Sequence, residues 1–111
     1  MDALCTIISL PSFDRATKSL LSDADRDRLE IELATNPDAG VVIAGTGGVR
    51  KYRFALPGRG KSAGLRVIYY VRNSKGRVYL ITAYTHATQH NVTQQQKHAM
   101  RQLTAILDRE P

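Results

Sequence analysis

Gly45-Thr-Gly-Gly-Val-Arg-Lys-Tyr-Arg-Phe-Ala-Leu-Pro-Gly-Arg-Gly-Lys-Ser-Ala-Gly-Leu-Arg-Val-Ile-Tyr-Tyr70 is the stretch on which the reading of this 111-residue chain turns. It reads as two strands joined by a loop. Over residues 49–56, side chains alternate across the pleat, so Lys51 and Arg53 share one face while Tyr52, Phe54 and Leu56 share the other. Residues 65–71 repeat the pattern: Leu65, Val67, Tyr69 and Val71 suit a core, and Arg66 faces the opposite way with Ile68 and Tyr70. The connecting loop is rich in Gly and carries Arg59 and Lys61.

Working outward, Asn73-Ser74-Lys75-Gly76 reads as a turn and residues 78–85 as a third strand of the meander. Strict alternation sends Tyr79, Ile81 and Ala83 to the core, and Thr82 and Tyr84 to the face of Lys51, Arg53 and Arg66. Thr93 and Gln96 have the spacing of a capping box that opens a last helix, with Ala99, Met100, Leu103, Ile106 and Leu107 as its apolar stripe. On the other side of the central stretch, residues 3–10 read as a first strand, with Cys5 as a small buried hydrophobe. That segment is short, lacks a preceding Lys or Arg and stops at Pro11, so it reads as neither a signal peptide nor a membrane span and suits a cytoplasmic protein. A helix over residues 11–21 and a second from Ser22-x-x-Asp25 to Asn36-Pro37, with Arg28 and Glu32 paired, are expected to cover the back of the sheet.

Charge is divided along the chain. Residues 1–38 hold eight carboxylates against four Lys or Arg, whereas residues 39–107 hold eleven Lys or Arg and no carboxylate. With a net charge of +6, the basic part calls for a polyanionic partner, although a generically basic surface has the same composition. One cysteine excludes an internal disulfide, and 111 residues suit a single domain, residues 1–111.

Two motifs lead nowhere. Gly60-Lys61-Ser62 ends like a P-loop, but Ala55 stands where its first Gly belongs and a strand follows where a helix is needed. His86, His90 and His98 have no Cys, Asp or Glu between residues 39 and 107 to complete a zinc site, so neither metal nor cofactor is expected.

The run Asn36-Pro37, Gly40, Ile43-Ala-Gly45-Thr-Gly-Gly48, Arg50-Lys51, Arg53, Gly58-Arg-Gly-Lys-Ser62, Gly64, Arg66-Val-Ile-Tyr-Tyr70 and Tyr84 resembles the RelE/HigB superfamily of bacterial type II toxins, and within it the HigB branch. The resemblance spans roughly residues 5–107. It implies a small α+β fold, an antiparallel sheet with two N-terminal helices and a C-terminal helix. It also implies a ribosome-dependent endoribonuclease, an mRNA interferase, held inactive by a cognate antitoxin of the helix-turn-helix, HigA-like kind. The partners implied are that antitoxin, the ribosome and mRNA, with DNA reached only through the antitoxin and no membrane. Lys51 and Arg53 match the family's paired basic positions and Arg66 its arginine before Val-Ile-Tyr, while Arg50, Arg59 and Lys61 are expected to hold RNA. The branch's Tyr-x-Lys ending is here Tyr84-Thr85-His86, and a further basic position of RelE is Ala87.

Chemistry fits this resemblance. A two-metal nuclease needs carboxylate oxygens that the basic part lacks. RNA carries its own nucleophile, the 2′-hydroxyl, so the protein need only align it, neutralise the phosphate and move two protons. Arg66 and Lys51 are assigned to the phosphate, Arg53 to the neighbouring backbone or to the role of a partner that lowers a pKa, and Tyr84 or His86 to the protons. Two other classes suit the same basic face: a non-enzymatic inhibitor of DNA gyrase like the related ParE toxins, and a plain nucleic-acid-binding module.

Overall fold

The computed structural model describes residues 4–57, 64–89 and 91–111. Its elements run β1 (Thr6–Ser9), α1 (Pro11–Thr17), α2 (Asp23–Thr35), β2 (Val41–Val42), β3 (Arg50–Phe54), β4 (Leu65–Arg72), β5 (Arg77–Thr85) and α3 (Gln94–Leu107). They form one five-stranded sheet in the order β1-β5-β4-β3-β2. The meander β2 to β5 is antiparallel, and β1 joins β5 in parallel, so the small α+β fold has a mixed sheet. Strand β2 is an element that the sequence reading did not include; its two residues hairpin back onto Lys51 and Arg50. Gly45, Gly47 and Gly48 in that connection all have positive φ, a region where a side chain is strained.

Each face of the sheet has its own core. On one, α1 and α2 bring Phe13, Leu29 and Leu33 against Phe54, Leu56, Leu65, Val67, Tyr69, Val78 and Leu80. On the other, α3 lays Met100 and Leu103 over Val49, Ile68 and Ile81. Full burial of such side chains contributes roughly 1.5–3 kcal/mol each, which makes these two layers the main support of the fold.

The helices begin where their sequences say. Pro11 occupies the first turn of α1. The Ser22 hydroxyl accepts from the Asp25 amide at the start of α2, while the Asp25 carboxylate pairs with Arg28. At α3 both halves of the Thr93–Gln96 capping box form. The phase of α3 differs slightly from the expected stripe: Thr104 is buried and Ile106 is 54% exposed. Thr104 satisfies its hydroxyl by donating to the Arg101 carbonyl at 3.0 Å, which is how a polar residue enters this layer at low cost.

Arg72 fixes the far end of α3. Its guanidinium donates to the carbonyls of Leu107, Asp108 and Glu110, capping groups that have no partner within the helix. Tyr70 donates to Asp108 at 2.6 Å and Tyr79 to Glu110 at 3.1 Å. The acidic α2 spends its charges locally, Arg28 pairing with Glu32 and Arg26 with Glu30. Arg28 also lies over the Phe54 ring, 4.1 Å from its centroid, and donates to Ala55, which ties α2 to the exit of β3. Gly40 packs against the Tyr69 phenol, which accepts its amide proton at 2.8 Å and donates to Pro37; a Cβ there would come within 2.7 Å of that ring.

Candidate functional site

A β-bulge decides which side chains meet. Pairing between β4 and β5 shifts between Ile68 and Tyr69, where Ile68 faces Thr82 but Tyr69 faces Leu80. The extra residue in β5 resets its alternation. Val78 and Leu80 therefore join the α1/α2 layer, whereas Tyr79 and Ile81 lie on the α3 side. The expectation that Tyr79 and Ile81 point with Ala83 is corrected by this irregularity. The Ser12 hydroxyl donates to the Ile81 carbonyl at the bulge and holds it in place. Beyond it, Thr82 and Tyr84 return to the face of Ile68 and Arg66.

The result is a row across three strands. Arg53 on β3 pairs with Arg66 on β4, and Arg66 pairs with Tyr84 on β5. Directly opposed residues share a face, so two guanidinium groups and a phenol stand side by side. One step along the strands, Lys51 opposes Ile68 on the same face. Lys51, Arg53, Arg66 and Tyr84 are thus brought together. Arg53 is exposed, whereas Arg66 is 5% and Tyr84 8% exposed. Burial of a cation without a carboxylate is costly. Arg66 donates to the Gly64 carbonyl at 3.0 Å, and among the described residues it enters no ion pair. The Tyr84 hydroxyl is buried with no hydrogen-bond partner among the described residues. Burial pushes its phenol pKa up, and the charge of Arg66 pulls it partly back.

The other predicted residues are placed differently. Arg50 lies on the opposite face with Tyr52 and Phe54, where it donates to the Gly40 carbonyl at 2.7 Å and pairs with Asp38 at 3.4 Å. It does not share the cationic face, and its charge is engaged. His86 is exposed on the turn that follows β5, two residues after Tyr84. Arg59, Lys61 and His90 lie outside the described residues.

Lys97 is a cation that the sequence reading passed over. It lies in the first turn of α3 and lines a cleft of about 210 Å³ with Lys51, Ile43, Asn91 and Val92. Its signal in the sequence was a lysine four residues after the Thr93 cap, where the helix dipole disfavours positive charge. Beside Arg53 a second cavity of about 340 Å³ opens, lined by Phe54, Ala55 and Gly64. Among the described residues no group of three His, Cys, Asp or Glu side chains converges as metal ligands would. No described helix is long and apolar enough to cross a membrane.

Comparison with known proteins places this architecture. The family model described as the RelE toxin of the RelE/RelB toxin-antitoxin system matches residues 12–110. A free-state structure of the E. coli toxin RelE carrying two arginine-to-alanine substitutions superposes with a TM-score of 0.51 at 22% identity, covering 78% of this chain and 87% of that one. The intact E. coli RelBE toxin-antitoxin complex gives 0.53 at 20% identity, covering 73% and 95%. At these identities the two structures speak for the fold.

Proposed function

This chain belongs to the family of RelE toxins of RelE/RelB toxin-antitoxin systems, and on that premise we propose that it is an endoribonuclease that cuts mRNA during translation, by attack of the RNA's own 2′-hydroxyl. The observation that carries the reading is the row Arg53, Arg66 and Tyr84, with a buried phenol that has no hydrogen-bond partner among the described residues beside a buried cation.

The chemistry assigned to it is a transesterification. The 2′-oxygen attacks phosphorus in line, its proton passes to a base, the bond to the 5′-oxygen breaks, and an acid protonates that leaving oxygen. A 2′,3′-cyclic phosphate and a 5′-hydroxyl result. Arg66 holds the non-bridging oxygens, where a fixed cation of low exposure is worth most as charge develops. Lys51 assists at the phosphate, and Arg53, exposed, holds the neighbouring backbone. Tyr84 is assigned the acid, because a phenol carries its proton at neutral pH and this one stands next to the phosphate-holding Arg66. His86, on the turn that follows the same strand, is assigned the base, since a neutral imidazole nitrogen can accept a proton. No step needs a metal.

Within the family we assign the chain to the HigB branch, on the sequence runs Gly58-Arg-Gly-Lys-Ser62 and Arg66-Val-Ile-Tyr-Tyr70. Its partner is then a helix-turn-helix antitoxin of the HigA kind, through which alone it reaches DNA. One structure that this chain resembles is the intact E. coli RelBE toxin-antitoxin complex, which supports an antitoxin partner of some kind. Mapping RNA ends after a brief pulse of expression tests the reading. Cuts inside open reading frames that leave cyclic phosphates are expected. Intact mRNA with induction of the DNA-damage response would instead point to gyrase, as for ParE-like toxins.

A further inference from the structure

Lys97 and Lys51 line one cleft, yet they come from elements far apart in sequence, the first turn of α3 and the middle of β3. Both residues are partly buried where they line the cleft. Among the described residues neither enters an ion pair or a side-chain hydrogen bond. Lys97 additionally sits at the positive end of a 14-residue helix, where a cation is unfavourable. Two like charges and a helix terminus are therefore gathered with nothing among the described residues to neutralise them. Local rules broken in this way, without a structural return, mark places where a ligand supplies the missing interaction.

We propose that Lys51 and Lys97 form a second phosphate seat, which holds the RNA backbone one linkage away from the bond that is cut. The inference rests on the reading of Arg53, Arg66 and Tyr84 as the cleavage row. Lys51 and Arg53 lie two residues apart on one face of β3, or about 6.8 Å along the strand. That is of the order of the step between successive phosphates in an extended single strand. A chain whose scissile phosphate rests on Arg66, with Lys51 reaching it from one side, thus brings its next phosphate to the other side of Lys51, where Lys97 lines the same cleft. Ile43 and Val92 form the apolar walls of the cleft and leave the two ammonium groups as its cations. Such a contact positions RNA without reading its sequence.

The test is the salt dependence of binding to poly(U), measured by fluorescence anisotropy on the full chain between about 50 and 200 mM salt. Lys97→Ala should weaken binding severalfold at low salt and lower the slope of log K against log salt by about 0.7, the loss of one phosphate contact on a single strand. Lys97→Arg should restore the slope. Lys75→Ala, on the turn between β4 and β5, should leave it at the parent value. The melting temperature of Lys97→Ala should not fall, since alanine suits this helix position better, and a merely structural lysine would behave in the opposite way. An unchanged slope in Lys97→Ala, or an equal loss in Lys75→Ala, overturns the proposal. Cutting of a translated message is followed in parallel. If the parent cuts while Lys97→Ala keeps both the parent slope and the parent concentration for half-maximal cutting, the seat fails and the cleavage row stands. If Lys97→Ala loses the slope but the parent cuts nothing, phosphate binding by the two lysines stands, while the cleavage reading and the seat's place beside a cut bond both fail.

Discussion

Replacing Tyr84 with Phe should move stability and activity in opposite directions. The ring packs in the α3 layer with Ile68, Ile81 and Met100, and phenylalanine keeps that packing. What disappears is one hydroxyl, buried and without a partner among the described residues. An unsatisfied buried polar group costs about 1–3 kcal/mol, so Tyr84→Phe removes a penalty rather than a contact. For a domain near this size, 1 kcal/mol corresponds to roughly 4 °C in Tm, and a rise of about 4 °C or more is expected. Loss of the proposed acid should slow cutting about 100- to 10,000-fold. The assay pairs thermal unfolding of the purified chain with single-turnover cutting on ribosomes programmed with a defined message. A lowered Tm would mean that the hydroxyl has a structural partner in solution, and cutting at the parent rate would remove Tyr84 from proton transfer.

Arg66→Ala should leave a single cooperative unfolding transition while slowing cutting about 100- to 1000-fold, because the group removed acts on charge that develops in the transition state; unchanged cutting in the folded variant would take Arg66 out of the site. His86→Lys should keep activity but move the rising limb of the pH–rate profile to higher pH, since a base must be deprotonated and a lysine holds its proton longer than a histidine, whereas His86→Ala should lose activity. Two parent-like profiles would leave His86 as a turn residue. Burial and a hydrogen bond to Glu32 push the Tyr52 phenol up to about 12 from 10.0, and burial with Asp108 does the same for Tyr70. The folded chain therefore holds protons that the unfolded chain releases above pH 10, and stability present below that pH should fall as pH rises toward 12. Urea midpoints at pH 9 and pH 11 should show that drop, reduced in Tyr70→Phe; a flat profile would contradict it.

The pleat made much of the candidate site's arrangement legible. Period-two alternation in β3 and β4 put Lys51, Arg53 and Arg66 on one face, and their pairing in register follows from that. The same alternation puts Arg50 on the other side, where Asp38 and Gly40 engage it, so its basic character alone was a poor guide to its place. Strict alternation sends Tyr84 to the face that it occupies, although β5 does not keep that alternation. A bulge is a backbone event with no side-chain signature here, and it moves Tyr79 and Ile81 without touching the identity of any residue. Strand β2 escaped notice because two residues carry no period. The position of α3 is the larger omission: Ile68 and Tyr70 on the face of Arg66 were the sign that a helix covers half of it. Once α3 is placed there, Lys97 comes over Lys51, a proximity that only the fold creates.

The most direct test of the central claim compares one message in two states. This chain has no Trp, and its two Phe, Phe13 and Phe54, are both buried, so it offers few aromatic platforms for stacking bases of free RNA. Its cations fit phosphates, and a ribosome that presents a codon with its backbone held would supply the geometry that the protein lacks. Cut sites are mapped by primer extension on a defined mRNA incubated with the purified chain, either naked or during translation. The account predicts negligible cutting of the naked message and cuts at codon-spaced positions in the translated one. Efficient cutting of the naked message, or none in either state, would contradict it.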